Sequence, residues 1–155
     1  MTFSYQVKEE LSKSISYKDK EILEAEFLGY ILTGNTNIDD NKIEYITENE
    51  FNIEAFYKIL FNLGVEYEPC IKGKCYVAII SIDERFNKYL QLISSKNEDV
   101  LKSIVKGAFL GAGSINEPKN KYHLEISFEN KENANYVINI CKFLFFQIYI
   151  QFFDY

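Results

Sequence analysis

The chain contains no tryptophan, one histidine, His123, and three cysteines, Cys70, Cys75 and Cys141. An odd number of cysteines at no disulfide-framework spacing argues against a stapled secreted domain. The opening Met1-Thr2-Phe3-Ser4 carries no signal-peptide pattern, so the expected compartment is the reducing cytoplasm. Cys70 and Cys75 stand at the two ends of a predicted hairpin. Zinc would need further Cys or His ligands there, and His123 is far off in sequence, so these cysteines read as small hydrophobes. His123 falls on an alternating strand with no Ser, Cys or Asp partner recurring beside it, which points to a sheet residue rather than a ligand or base. No apolar run reaches the roughly 18 residues of a membrane span, the aromatic-rich stretch from Phe145 to Tyr155 included.

Basic charge is also in short supply. Seventeen Lys and Arg against 23 Asp and Glu leave a formal charge of −6, which disfavours a partner held by electrostatics alone, such as nucleic acid or an anionic membrane. The deficit is confined to residues 1 to 95, with 10 basic and 16 acidic side chains. Residues 96 to 155 balance at 7 against 7, which leaves room for a local basic stripe in the second half.

What the chain does have is one segment written twice. At 155 residues and 47% hydrophobic it has the material for one globular domain. Gly29-Tyr30-Ile31-Leu32-Thr33-Gly34-Asn35-Thr36 reads like Gly107-Ala108-Phe109-Leu110-Gly111-Ala112-Gly113-Ser114. Each copy is followed by a strand and an acidic turn, Ile43 to Asn49 in the first half and Leu124 to Asn130 in the second. The separation is 78 residues between Gly29 and Gly107 and 81 between Asn49 and Asn130. A period that long is outside the solenoid range, so two half-domains about a pseudo-two-fold axis are expected.

Hydrophobic periodicity fills in the units. A leader helix is predicted over residues 4 to 13, capped by Ser4, with Val7 and Leu11 as its stripe. Helices follow at Asp19 to Leu32, closed by Gly34-Asn35, at Asn49 to Leu63, stopped by Gly64, and at Glu84 to Ile93. Between them lie strands at Thr36 to Ile38, Lys42 to Thr47, Tyr67 to Ile71 and Cys75 to Ile80. The second half offers a helix at Asp99 to Leu110, strands at Ser114 to Asn116 and Tyr122 to Phe128, and a helix at Lys131 to Phe145. Phe56, Tyr57, Phe61, Tyr136 and Phe143 fall at helical spacing and are assigned to the core. Residues 1 to 18 thus form a leader, 19 to 95 a first half, and 96 to 155 a second half that stops short of a hairpin and a third helix. A strand there without its hairpin partner would leave an apolar edge that invites association.

The two signatures resemble the LAGLIDADG helices of homing endonucleases. Lys106 to Pro118, followed by Tyr122-His123-Leu124-Glu125-Ile126, is similar to the WhiA family of sporulation and cell-division regulators. The opening Phe3 to Leu11 and the stretch Ile46-Thr47-Glu48-Asn49 are similar to that family too. The resemblance implies an α+β fold, a pseudo-two-fold duplicate of αββαββα units with the second unit incomplete. Its signature helices would pack at the pseudo-dyad beneath a curved sheet that faces DNA in relatives. The packing residues are Gly29, Gly34, Gly107, Ala108, Gly111, Ala112 and Gly113. Gly107 and Gly111 lie one turn apart with alanines beside them, which strips that face of side chains and lets another backbone approach.

Cleavage in that superfamily needs a carboxylate at the end of each signature helix, to hold divalent metal over the scissile phosphates. Aligned on the repeat, those positions are Gly34 and Ala112, which cannot ligate. Asp39 and Asp40 lie near the first helix end, in a polar turn with no counterpart in the other half. The expected protein is a scaffold without catalysis, cofactor or metal, acting on DNA or a protein partner in cell division, chromosome segregation and sporulation-related transcription. Candidate phosphate contacts are Lys72, Lys74, Lys119 and Lys121. A helix-turn-helix after Lys142, which the family carries, is not expected in this sequence. A remnant of a LAGLIDADG nuclease is the alternative reading, and pure protein interaction a third.

Overall fold

The computed structural model describes residues 2–33, 36–39, 41–81, 83–117, 119 and 121–144. Helix α1 (Phe3–Ser12) begins at Thr2, whose Oγ1 accepts a hydrogen bond from Tyr5 N at 3.1 Å. Ser4, expected as the cap, lies inside the helix and has another task. Its Oγ accepts from Ile115 N at 3.2 Å and ties the leader to the second half.

The first half then runs α2 (Lys20–Ile31), β1 (Thr36–Asp39), β2 (Lys42–Thr47), α3 (Glu50–Leu63), β3 (Tyr67–Lys72), β4 (Cys75–Ser81) and α4 (Arg85–Leu90). Asp19 caps α2 through Oδ1 to Ile22 N. Gly64 ends α3 at φ 66°, the left-handed conformation in which a helix closes without Cβ strain. The turn before β2 uses Asn41 at φ 68°, a residue type that tolerates positive φ. The helix expected to reach Ile93 stops at Leu90 and tightens into a 3₁₀ turn over Gln91–Ser94, just before the boundary between the halves.

The second half has α5 (Glu98–Ala112), β5 (Gly113–Ile115), β6 (Leu124–Ile126) and α6 (Lys131–Leu144). Helix α5 carries on past Leu110 to Ala112, where the Gly113 N–H closes it on the Phe109 carbonyl. Gly34, Asn35, Asp40 and the stretch from Phe145 onward lie outside the described residues.

The first-half sheet is antiparallel in the order β1-β2-β4-β3. Its register aligns Ile43 with Ile80 and Tyr45 with Ala78 on one face, and those four side chains are buried. Against them pack Phe27, Tyr30, Ile53, Phe56, Ile59 and Leu60. A second cluster joins Ala25, Leu28 and Leu32 to Val100, Leu101, Ile104, Ala108, Val137 and Ile140. Helix α2 serves both clusters and is buried on every side from Leu23 to Tyr30, Glu24 and Glu26 included. The assignment of Phe61 and Phe143 to the core is corrected here. They are 78% and 63% exposed, because each lies on the solvent side of an amphipathic helix that buries its opposite stripe.

Candidate nucleic-acid interface and the helix crossing beneath it

The most extensive contact between two elements is α2 on α5. At its centre the backbones touch. A Cβ added at Gly29 would collide with the carbonyl oxygen of Ile104 and stand 2.5 Å from Ala108 N. One added at Gly107 would collide with the carbonyl of Glu26. The two contacts are reciprocal, since Gly107 and Ile104 each follow Gly29 and Glu26 by 78 residues. That reciprocity is the mark of a pseudo-two-fold axis through the crossing.

Ala108 is fully buried beside Gly29. One turn on, a Cβ at Gly111 would stand 2.7 Å from Thr33 Oγ1, with the nearest backbone atom, Tyr30 Cα, at 3.3 Å. Gly113 caps α5 and opens β5, where a Cβ would meet the backbone and ring of Phe109. Ala112 is the last residue of α5 and is half-buried.

The crossing also buries charge. Glu26 is 1% exposed, and Lys106 Nζ lies 3.1 Å from its Oε1. The pair meets as an ion pair outside hydrogen-bond geometry, so Oε1 accepts no hydrogen bond from the described residues. Burial pushes the Glu26 carboxyl above its usual range, and the Lys106 charge only partly opposes it. The folded chain therefore holds this proton more tightly than the unfolded chain. The resulting stabilisation is full below the ordinary value of 4.5 and fades as pH rises through the raised one. Urea titrations from pH 4 to 8 should show wild-type stability falling against Glu26→Gln across that interval. A difference independent of pH would refute the assignment.

At the C-terminal end of α5 a buried hydrogen-bond network joins the halves. Tyr30 Oη donates to Asn52 Oδ1 at 2.7 Å, and Asn52 Nδ2 donates to Tyr45 Oη at 2.7 Å and to the Leu110 carbonyl at 2.8 Å. Tyr45 Oη reaches the Gly111 carbonyl at 3.4 Å. Burial raises both phenols above their usual range, Tyr30 strongly, so both stay neutral donors. These contacts satisfy the carbonyls that a helix end leaves open. Tyr30, Tyr45 and Asn52 were not among the site residues read from the sequence. The one signal was an asparagine at a stripe position of α3, four residues before Phe56.

The other face of the sheet carries Lys42, Glu44 and Ile46 from β2, Val77 and Ile79 from β4, and Glu68, Cys70 and Lys72 from β3. Lys72 Nζ sits 3.1 Å from both carboxylate oxygens of Glu44, which offsets its charge. Lys74 is exposed in the β3–β4 turn. Lys119 and Lys121 are exposed in the β5–β6 connection, where the Lys121 carbonyl accepts from Asn116 Nδ2. The structure places Lys74, Lys119 and Lys121 on two hairpin connections, one in each half, and Lys72 at the end of β3, rather than in one cluster. His123 is exposed and pairs with Glu125 at 2.7 Å. No cluster of three metal-ligating side chains occurs among the described residues, and no described helix is long and apolar enough to cross a membrane.

Residues 101–151 match the family model described as the WhiA LAGLIDADG-like domain. A probable cell division protein WhiA of Lachnospira eligens is 30% identical, over 92% of this chain and 54% of the relative. One from Clostridium botulinum is 29% identical, over 90% of this chain and 54% of the relative. The chain spans about half the length of these curated relatives. Among solved structures, full-length DUF199/WhiA from Thermatoga maritima matches with a TM-score of 0.77 at 25% identity, over 94% of this chain and 51% of that one. The N-terminal LAGLIDADG domain of DUF199/WhiA gives 0.79 at 21% identity, over 93% and 75%. I-DmoI in complex with DNA and Mn gives 0.55 at 15% identity, over 81% and 79%, a likeness of fold alone.

Proposed function

Because the chain belongs to the WhiA family, whose LAGLIDADG-like fold it carries, we propose that it is a non-catalytic, DNA-contacting regulatory module acting in cell division. Chromosome segregation and sporulation-related transcription belong to the same reading, as does a cytoplasmic, nucleoid-associated location. The observation that carries it is the end of α5. Where a nuclease of this fold would present a carboxylate, Ala112 presents a methyl, and the neighbouring carbonyls of Leu110 and Gly111 are already engaged by Asn52 and Tyr45.

The two hairpin turns supply the phosphate contacts. Lys74 reaches out from the first half, and Lys119 and Lys121 from the second, while Lys72 contributes less because Glu44 holds it. With so few cations on an acidic chain, duplex affinity should fall in the non-specific range, Kd on the order of 10⁻⁴–10⁻⁶ M, and weaken steeply with salt. Fluorescence anisotropy on a 30-base-pair duplex tests this. Lys74→Ala should lower the log–log salt slope by about 1 and weaken binding uniformly across sequences. No measurable binding at low ionic strength would replace DNA by a protein partner. Magnesium-dependent plasmid nicking abolished by EDTA would restore the nuclease reading.

A further inference from the structure

The two lysines that flank Gly73 do not stand alike. Lys74 is exposed in the turn, whereas Lys72 reaches back across the sheet to Glu44. Strand β4 lies between β3 and β2, so the Lys72 side chain has to span a whole strand. Lys72 lies opposite Cys75 and Glu44 opposite Ile79, which puts the crossing over Val77. Val77 is fully buried although it points away from the helices. The aliphatic stem covers an apolar neighbour while the ammonium meets both oxygens of one carboxylate at 3.1 Å. Lys72 is 52% and Glu44 30% exposed, so solutes still reach the pair.

A carboxylate held this way gives an ammonium what a backbone phosphate gives it, negative charge spread over two oxygens. Glu44 therefore stands where a phosphate would bind Lys72. The position recurs in the other half. Glu125 follows Glu44 by 81 residues, the separation that relates Asn49 to Asn130, and it too is bonded to a base of its own half, His123. Glu68 shares the outward face with Glu44, across Ile79, but takes no part in the Lys72 pair.

Resting on the DNA-contacting reading above, we propose that Glu44 is an internal competitor for the phosphate site on Lys72. The duplex engages this lysine only by displacing Glu44, so the carboxylate sets how tightly the β3–β4 hairpin binds and how steeply that binding depends on salt. An ammonium already neutralised by its own chain has no counterion to release on meeting a phosphate. Lys72 then adds nothing to the salt slope while the pair is closed. Opening it adds one phosphate contact beside Lys74, on the same hairpin.

Two measurements on the full chain test the proposal. Acetylation by a limiting N-hydroxysuccinimide ester, read by mass spectrometry without DNA, should label Lys72 several-fold more slowly than Lys74, and Glu44→Gln should bring the two rates together. Anisotropy on the same duplex should show Glu44→Gln binding about tenfold tighter at about 50 mM salt, with a log–log slope steeper by about 1. Glu68→Gln removes the same charge from the same face without freeing Lys72, and should tighten binding about twofold at most. Glu44→Gln in a Lys72→Ala background should gain no more than Glu68→Gln does. Exposed pairs add little to folding, so these variants keep the fold. A Lys72 that labels as fast as Lys74 in the unaltered chain would overturn the proposal. So would a gain from Glu68→Gln equal to that from Glu44→Gln, or one that survives the loss of Lys72. Each of those results leaves the DNA reading standing while the unaltered chain binds. If no variant binds duplex at low ionic strength, that reading fails and the proposal falls with it.

Discussion

Gly107→Ala is expected to cost about 4 kcal/mol or more of unfolding free energy, well above the usual overpacking penalty of about 1–3 kcal/mol. The reason is what the new methyl would strike. Beside Gly107 stands the Glu26 carbonyl, part of a helix backbone that cannot rotate aside, and separating α2 from α5 would loosen both hydrophobic clusters at once. Gly29→Ala should do comparable damage through the Ile104 carbonyl. Gly111→Ala meets the Thr33 side chain and should cost less. Gly64→Ala meets nothing within 4 Å and should cost only about 1–2 kcal/mol, the price of a left-handed alanine. Equilibrium urea unfolding of the four variants checks the order. If Gly107→Ala is as mild as Gly64→Ala, the backbone contact at the axis is not what holds the halves together.

Asn52→Ala carries the second large effect, about 3–5 kcal/mol. One amide serves three buried partners: it accepts from Tyr30 and donates to Tyr45 and to the Leu110 carbonyl. Truncation deprives all three in a site too buried for bulk water to reach. Tyr45→Phe should be non-additive with it, because both changes remove the same Asn52 to Tyr45 bond, and a double-mutant cycle reads that coupling directly. Strict additivity would show that the two side chains act separately.

Much of the architecture was visible in the spelling of the chain. Helical spacing located α2, α3, α5 and α6, alternation located the strands, and the resemblance of the two signature segments to LAGLIDADG helices implied the fold that the solved relatives share. Local signals were weaker at boundaries. Thr2 outcompeted Ser4 as a cap because Ser4 is drawn to Ile115, more than a hundred residues away, and no window of sequence contains that pull. Phe61 and Phe143 looked like core because apolar spacing reports a face without saying whether anything covers it. The stripped face of α5 could be read from Gly107 and Gly111, but which atoms it lies against could not. Asn52, Tyr30 and Tyr45 escaped notice as a set because they come from three elements and only the tertiary fold brings their polar atoms together.

Helix α2 offers its sides to two different cores, and between Leu23 and Tyr30 none of it is left for solvent. A segment so shared cannot loosen for one neighbour while staying docked on the other. The duplicated halves, although each has the outline of an independent unit, should therefore melt in one cooperative event rather than two.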